Sequence, residues 1–488
     1  MSRRKLRVAL LLLVSLWAAC AKHKAAPSRR LPVGDGVWFE EGIAENDSDT
    51  ESTLLRAGIS WVFYPACRVG IGEGIAADPV PAPAHPLTHL PVFLVVTGDE
   101  TSAGVWRQGE RSVTPLSNAI WLAIKDSVQN PARYGTIAGL HLDLPFSPAE
   151  APLYQKVISK LRSNLPSTML ISISLRSVPT AQQMETFQPL LDGCDGLVAF
   201  MAGQGATIDP VVTDALEKTW WAGFAPGSRG VWTSAKGEVR GALPERVLAR
   251  LVDDTRVMFL TNLALQETVD SSFSLVPREP VSIPGFSFQT GDKLVFRQPI
   301  FADIVYHLGA DVTARRFARG RVLVLPGRSE SERIFTLGAL ADVLTGKPTL
   351  VALRVAVAEE RGNIRLEVQN TTPHASMISS TANWVEVEVP SAGIREVQTG
   401  GFNRFEVYGA DRNPVTLGRA TIVRFFENLV NPNETIEPAH ILLRGTPPRD
   451  CCVYHFHVLS ASGKEVTAET QMVSAGAEAV APTPMPGK

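Results

Sequence analysis

The ten residues Ile137-Ala-Gly-Leu-His-Leu-Asp-Leu-Pro-Phe146 constrain the fold more than any other stretch of the chain. Leu140, Leu142 and Leu144 alternate with His141 and Asp143, and successive side chains on a strand point to opposite faces, so one face is apolar and the other polar. Ser147-Pro-Ala-Glu150 follows with the spacing of a helix capping box and Pro at the first helical position. Leu153, Val157, Ile158, Leu161 and Leu165 then recur at helical spacing. The unit is strand, short loop, helix. A strand in an open doubly wound sheet is covered by helices on both sides and tends to be apolar on both faces. A polar stripe running to a strand's carboxyl end suits the mouth of a barrel, where strand ends and loops form the site.

The same alternation extends in both directions. Strands are expected at 36–40, 59–64 and 90–97 before it, with a helix over 50–57 and another starting at Thr114 that carries Ile120, Trp121, Ile124 and Val128 on one face. After it come strands at 169–175 and 195–201, separated by a helix that Thr180 and Gln183 cap. The segment 220–234 offers two candidates for the seventh strand, of which 229–233 is preferred, and 256–261 is read as the eighth. Eight strands alternating with helices predict an α/β fold, a (β/α)8 TIM-like barrel over 33–270. The region 271–347 reads as a barrel extension or joining layer, with a hairpin at 286–296, a strand at 321–325 and a helix at 329–344. Beyond Pro348 short alternating strands at 351–357, 363–368 and 384–389 predict a C-terminal β-sandwich over 348–470, and the Ala- and Pro-rich tail 471–488 is expected to be disordered.

Charge excludes one class of partner. The chain carries 47 Lys plus Arg against 49 Asp plus Glu, so no global field recommends nucleic acid. The N-terminus is different in kind. Arg3, Arg4, Lys5 and Arg7 precede an apolar run from Val8 to Ala19, about a dozen residues and too short to span a bilayer comfortably. This is the pattern of a secretory signal over 1–20. Its end, Trp17-Ala-Ala-Cys20, resembles a bacterial lipobox with Trp in place of the usual Leu. Cys20 is therefore the expected lipidation site and 21–32 a tether, giving a lipid-anchored protein of the bacterial cell envelope, on the outer membrane where one exists. Ala19-Cys20-Ala21 also fits ordinary signal cleavage. Cys67, Cys194, Cys451 and Cys452 have none of the paired zinc spacings, and His455 with His457 supplies only two ligands, so neither a cofactor nor a metal is expected.

Gly139-Leu-His-Leu-Asp-Leu-Pro145 resembles the fourth-strand signature of family 18 glycoside hydrolases, Asp-Gly-x-Asp-x-Asp-x-Glu. Asp143 matches the last Asp, His141 stands where the preceding Asp would be, and Pro145 stands where the proton-donating Glu would be. The sixth strand keeps only Met201 of that family's Met-x-Tyr-Asp, with Gly203 and Gln204 in the later places. Residues 33–270 also resemble an uncharacterised family of bacterial exported proteins, a domain of unknown function. Val37-Trp38, Asp143 with Tyr154 and Leu165-Pro166, and Ile171-Ser-Ile-Ser-Leu175 carry that resemblance. It implies a barrel and no known activity.

By strand end, the mouth would hold Asp143 as a catalytic carboxylate with Glu40 or Glu41 as the acid. Trp38, Tyr64, Asp99, His141, Arg176, Trp232 and Asn262 would bind substrate. Carboxylates converging beside aromatic rings are the equipment of a sugar site. The plain reading of any one of them is a solvated loop residue, but a strand-embedded His and Asp facing a barrel interior must find hydrogen-bond partners. Two functions follow. One is an envelope-anchored, glycoside-hydrolase-like barrel that binds, and with a second carboxylate would cleave, a polysaccharide. The alternative is a non-catalytic barrel acting as a binding or scaffold protein of the cell envelope. Two facing carboxylates in an open groove favour the enzyme, and a plugged mouth favours the scaffold.

Overall fold

The computed structural model describes residues 31–473 except 44–47, 99–100, 178, 181, 203–207, 225–229, 244–246, 249–250, 252–262, 268–271, 284, 298–311, 313, 326–335, 346, 348–349, 361, 390–392, 446–451, 462 and 468–470. The signal segment with Cys20, the tether up to residue 30, Asp99, Asn262, the strand expected at 256–261, Gly203, Gln204, Cys451 and the tail beyond Val473 lie outside the described residues. Among the described residues no helix is long and apolar enough to cross a membrane.

The N-terminal part begins with β1 (Gly36–Phe39), α1 (Thr50–Arg56), β2 (Trp61–Ile71), β3 (Ile75–Pro79) and β4 (Leu87–Gly98). It continues with α2 (Glu110–Gln129), β5 (Gly135–Asp143), α3 (Ala151–Asn164), β6 (Leu170–Leu175), α4 (Met184–Gly193), β7 (Gly196–Ala202), α5 (Pro210–Asp214) and β8 (Trp220–Phe224). An insertion follows: β9 (Gly230–Thr233), β10 (Val239–Leu243), β11 (Leu263–Glu267), β12 (Ser272–Pro277), β13 (Val281–Ile283), β14 (Phe286–Phe288) and β15 (Lys293–Arg297). Then come β16 (Ala318–Leu325) and α6 (Leu337–Leu344).

Strands β1, β2, β4, β5, β6, β7, β8 and β16 pair in parallel, and the β1 to β2 pairing closes them into an eight-stranded barrel. Three expectations are corrected here. The seventh strand is β8 rather than 229–233, because Trp220-Trp221-Ala-Gly-Phe is buried at every residue, as a strand between lumen and helix layer must be. Gly230–Thr233 instead joins β10, β15, β12 and β11 in a separate antiparallel sheet and leaves Val231 43% exposed. The eighth place belongs to β16, well beyond residue 270, where Val322 and Val324 face the lumen and Leu323 and Leu325 face the helices. The hairpin expected at 286–296 also divides: β14 pairs with β13, and β15 pairs with β12 and β9.

Parity along each strand sorts the core into two clusters. One lies between strands and helices and takes Leu140, Leu142, Ile171, Ile173, Leu197 and their like. The other fills the lumen with Trp38, Trp61, Phe63, Phe93, Phe200 and Trp221. Leu31 and Pro32, placed in the tether by sequence, belong to the barrel floor. Leu31 is 2% exposed within the lumen cluster, and Trp221 Nε1 donates to Pro32 O at 3.1 Å. A Cβ at Gly196 would stand 2.1 Å from Leu31 Cδ1, so a side chain there would displace Leu31.

The C-terminal part contains β17 (Leu353–Glu360), β18 (Asn363–Asn370), β19 (Trp384–Glu388), β20 (Ile394–Gln398), β21 (Arg404–Tyr408), β22 (Ile422–Phe426), β23 (Thr435–Leu443), β24 (Cys452–Leu459), β25 (Glu465–Thr467) and β26 (Gln471–Val473). They form a four-stranded sheet ordered β17-β18-β23-β20 and a six-stranded sheet through β21-β22-β19-β24-β25, to which β26 adds beside β24. Every pairing is antiparallel, and residues of both sheets share one apolar cluster. Gln471–Val473, expected in the disordered tail, pairs with Cys452–Tyr454. Helix α6 links the two parts: Thr336 Oγ1 donates to Pro373 O at 2.8 Å, and His374 Nε2 lies 3.0 Å from Asp342 Oδ2.

Candidate functional site

The polar stripe of β5 faces the lumen, as its alternation requires. His141 has no exposed surface. Its Nδ1 lies 2.9 Å from Ser172 Oγ and its Nε2 lies 3.0 Å from Ser174 Oγ. Phe63 stacks on the ring at 4.5 Å and Trp38 meets it edge-on at 5.0 Å. Burial drives the imidazole down to about 3, with Asp143 opposing and Arg176 adding to the shift. The ring is therefore neutral near pH 7, with one nitrogen donating to a serine and the other accepting from one. Both serines alternate with Ile171, Ile173 and Leu175 on the neighbouring strand, so the Ile-Ser-Ile-Ser-Leu run is the sequence signal for these partners.

Asp143 ends β5, and its side chain is 10% exposed. Arg176, next on the serine face of β6, donates Nη2 to Oδ1 at 2.7 Å and to Oδ2 at 2.9 Å. The guanidinium also sits 5.4 Å from the centre of the Phe200 ring. The charge of Glu40 reaches Arg176 and strengthens its hold on the proton, so Glu40 belongs to the same end of the barrel. Glu41 is 8% exposed. Tyr154, on α3 behind the strand, donates to Leu142 O at 3.0 Å, and burial beside the Asp143 charge holds its phenol well above the usual range. The capping box that starts the helical segment is formed: Ser147 N and Oγ both donate to Glu150 Oε2, at 2.6 and 2.9 Å.

Other expected site residues lie elsewhere. Trp38 faces the lumen but is 1% exposed, so it fills the barrel and cannot offer a face to a sugar ring; its Nε1 is buried with no hydrogen-bond partner. Tyr64 has the opposite parity to Trp61 and Phe63. It lies under the helix layer, its hydroxyl donating to Pro81 O at 3.3 Å and its ring edge-on to Tyr134. Trp232 belongs to the inserted sheet, where its Nε1 donates to Asp292 Oδ2 at 2.9 Å.

A cavity of about 10 Å³ beside Arg176, lined by Leu144, Phe146, Ser174 and Phe187, is the size of a single water. A groove of about 1210 Å³ lies on the barrel flank between Pro79, Pro81, Pro83 and the α2 residues Leu122 and Asp126, away from His141 and Asp143. Chemically the cluster offers a carboxylate already bound on both oxygens, a neutral imidazole satisfied on both nitrogens, and an arginine using one nitrogen. Its leftover groups are donors. Pro145, in the proton donor's place, contributes its carbonyl to Trp106 Nε1 at 2.6 Å.

No protein-family model matches the sequence, and no curated protein does. Solved structures show overall likeness. The cell-surface-expressed multi-modular chitinase ChiW from Paenibacillus sp. is 11% identical with a TM-score of 0.42, over 91% of this chain and 56% of that one. This chain thus spans little more than half the length of that enzyme. The spore cortex-lytic enzyme SleL of Bacillus megaterium is 13% identical with a TM-score of 0.33, over 61% and 71% of the two chains. The family 18 chitinase ChiB of Flavobacterium johnsoniae is 8% identical with a TM-score of 0.34, over 65% of this chain and 94% of that one. At such scores the likeness assigns no role to any residue.

Proposed function

We propose that this chain is an exported protein whose glycoside-hydrolase-like barrel binds a polysaccharide at its mouth without hydrolysing it. The observation that carries the reading is the clamp of Asp143 by Arg176, with Pro145 in the sequence place of the acid. Glycosidic cleavage needs a positioned acid to protonate the leaving oxygen. Here both oxygens of Asp143 are acceptors toward a guanidinium, His141 is neutral and enclosed, and Pro145 has no proton to give. What the mouth does offer is donors. Arg176 is 33% exposed and uses only Nη2 on Asp143, which leaves N–H groups for hydroxyl or carboxylate oxygens of a glycan. The two C-terminal sheets, which share one core, form an accessory β-sandwich in this reading. Cys20 carries the lipid that holds the protein in the bacterial envelope, since one chain with several acyl groups anchors stably.

The test incubates the Cys20→Ser soluble form with a panel of envelope and extracellular polysaccharides. Retention without new reducing ends is expected, and Arg176→Ala should weaken retention by about tenfold, the loss of one charge-assisted donor. Release of reducing ends that is lost in Glu40→Gln would instead make Glu40 the acid and the protein a hydrolase. Retention on no member of the panel would end the carbohydrate reading. For the anchor, wild type should label with palmitate and Cys20→Ser should not; a mature N-terminus at Lys22 would show ordinary cleavage.

A further inference from the structure

The outward face of the six-stranded sheet carries a donor cluster that the barrel reading does not use. Glu386 and Glu388 are two residues apart on β19 and share a face, and His455 on β24 stands directly opposite Glu386. One oxygen of each glutamate and one ring nitrogen of His455 lie within 4.8 Å of one another. His455 Nε2 and Glu388 Oε1 are 3.5 Å apart. Two ligands bonded to a tetrahedral ion at about 2.0–2.2 Å stand about 3.3–3.6 Å from each other. The cross-strand pair already has the spacing of a metal's ligands.

The state of Glu386 is a second, independent observation. Its side chain is 1% exposed, and its two oxygens are treated differently. Arg424, opposite it on β22, donates Nε at 2.9 Å and Nη2 at 2.6 Å, both to Oε2. Oε1 is buried and accepts no hydrogen bond, although Arg412 Nη1 lies 2.9 Å away. That arginine reaches in from the turn between β21 and β22 at a residue with φ of 60°, its Nη2 donating to Glu388 Oε1 at 2.6 Å, and it is 53% exposed. A positive charge therefore stands between the two carboxylates with no N–H aimed at one of them. A buried acceptor in that condition is costly, and a bare cation satisfies it without needing a donor direction.

We propose that Glu386, Glu388 and His455 form a binding site for a divalent transition-metal ion of the zinc type, with Arg412 as its resident competitor. An imidazole nitrogen beside two carboxylate oxygens is a zinc donor set, whereas calcium and magnesium favour all-oxygen cages with six or more ligands. On binding, Arg412 swings into solvent on its exposed turn and the ion takes its place. Arg424 stays on Oε2, which aims Oε1 at the ion and fixes the carboxylate's rotation. The fourth position is open to water.

Zinc titration of the purified full chain against a chromogenic chelator tests this. Arg412→Ala should bind zinc about tenfold tighter than wild type, because the competitor is gone. Adding His455→Ala or Glu388→Gln to that variant should weaken binding by about tenfold or more. Arg412→Ala binding no tighter than wild type would overturn the proposal. So would either double variant retaining the Arg412→Ala affinity, since the zinc would then sit on other side chains. A wild-type measurement decides independently of any variant's folding: zinc should protect His455 from carbethoxylation read by mass spectrometry, and unchanged modification at saturating zinc would also overturn it.

Discussion

The barrel lumen and the outer face of the six-stranded sheet each hold a buried carboxylate, an arginine and a histidine, and they leave opposite groups unused. In the lumen Asp143 has both oxygens on Arg176, and His141 has both nitrogens on serines. The groups left over at the mouth are donors, the remaining Arg176 N–H groups. On the sheet Arg424 takes one oxygen of Glu386 twice, and the group left over is an acceptor, Oε1. Surplus donors suit an oxygen-rich ligand and a surplus acceptor suits a cation. The residue types are nearly the same in both places; the hydrogen-bond ledger separates them.

Removing the arginines tests that contrast most severely. Arg424→Ala strips Glu386 of every aligned donor and also uncovers the Trp384 and Tyr408 rings beneath it, and breaking a buried pair from one side costs about 3–5 kcal/mol. Arg176→Ala should cost less, about 2–3 kcal/mol, because Asp143 is 10% exposed and water reaches it. Arg412→Ala should cost under about 1 kcal/mol, as a half-exposed ion pair. Urea unfolding of the three variants ranks them, and equal losses would erase the distinction drawn between the two sites.

Acid should act on the lumen next. His141 sits at about 3 when folded and near 6.5 when unfolded, so the unfolded chain takes up a proton that the folded one refuses. Its contribution to stability is whole above about pH 6.5 and is lost as pH falls toward 3, at about 1.4 kcal/mol per unit. His141→Gln keeps a neutral donor and acceptor without the titration. Between pH 6.5 and 5 wild type should therefore lose about 2 kcal/mol more than this variant. Parallel curves in urea titrations would mean that the imidazole is not enclosed as described.

Strand and helix alternation, the facing of His141 and Asp143, and the Ser147 capping box were all legible because each is a local pattern. The failures share one cause, which is that parity says two residues share a face and not which face is the lumen or which strand is the neighbour. Tyr64 and Trp38 both looked like mouth residues; only the placement of Trp61 and Phe63 inside puts one under the helices and the other in the plug. The strand at 321–325 is legible as a strand, but its place as the eighth of the barrel is hidden by the insertion β9 to β15, whose own strands compete for that place. Glu386, Glu388 and His455 meet through a register between strands far apart in sequence. From sequence, His455 showed only its neighbour His457.

A smaller effect checks the wall between lumen and helices. Tyr154→Phe deletes one buried hydrogen bond to Leu142 O and leaves the ring packed on Trp106 and Phe146, so about 1–2 kcal/mol should be lost. Glycan retention should be unchanged, because the hydroxyl faces away from the mouth. Loss of retention at full stability would show that the backbone at Leu142 positions Asp143 for the ligand.

The smallest stability effect belongs to Trp38→Phe. The substitution removes apolar area from the lumen, which costs about 1–3 kcal/mol by cavity formation. It also removes a buried N–H that has no acceptor, which relieves about 1–3 kcal/mol. The two terms oppose each other, so the midpoint in urea should move little. A Phe retains the edge contacts that Trp38 makes with Phe63 and His141. Retention on the polysaccharide that wild type binds should be unchanged, because the indole nitrogen is buried in the lumen and out of a glycan's reach. Loss of retention at unchanged stability would show that the filling of the lumen positions Arg176 and Asp143 for the ligand.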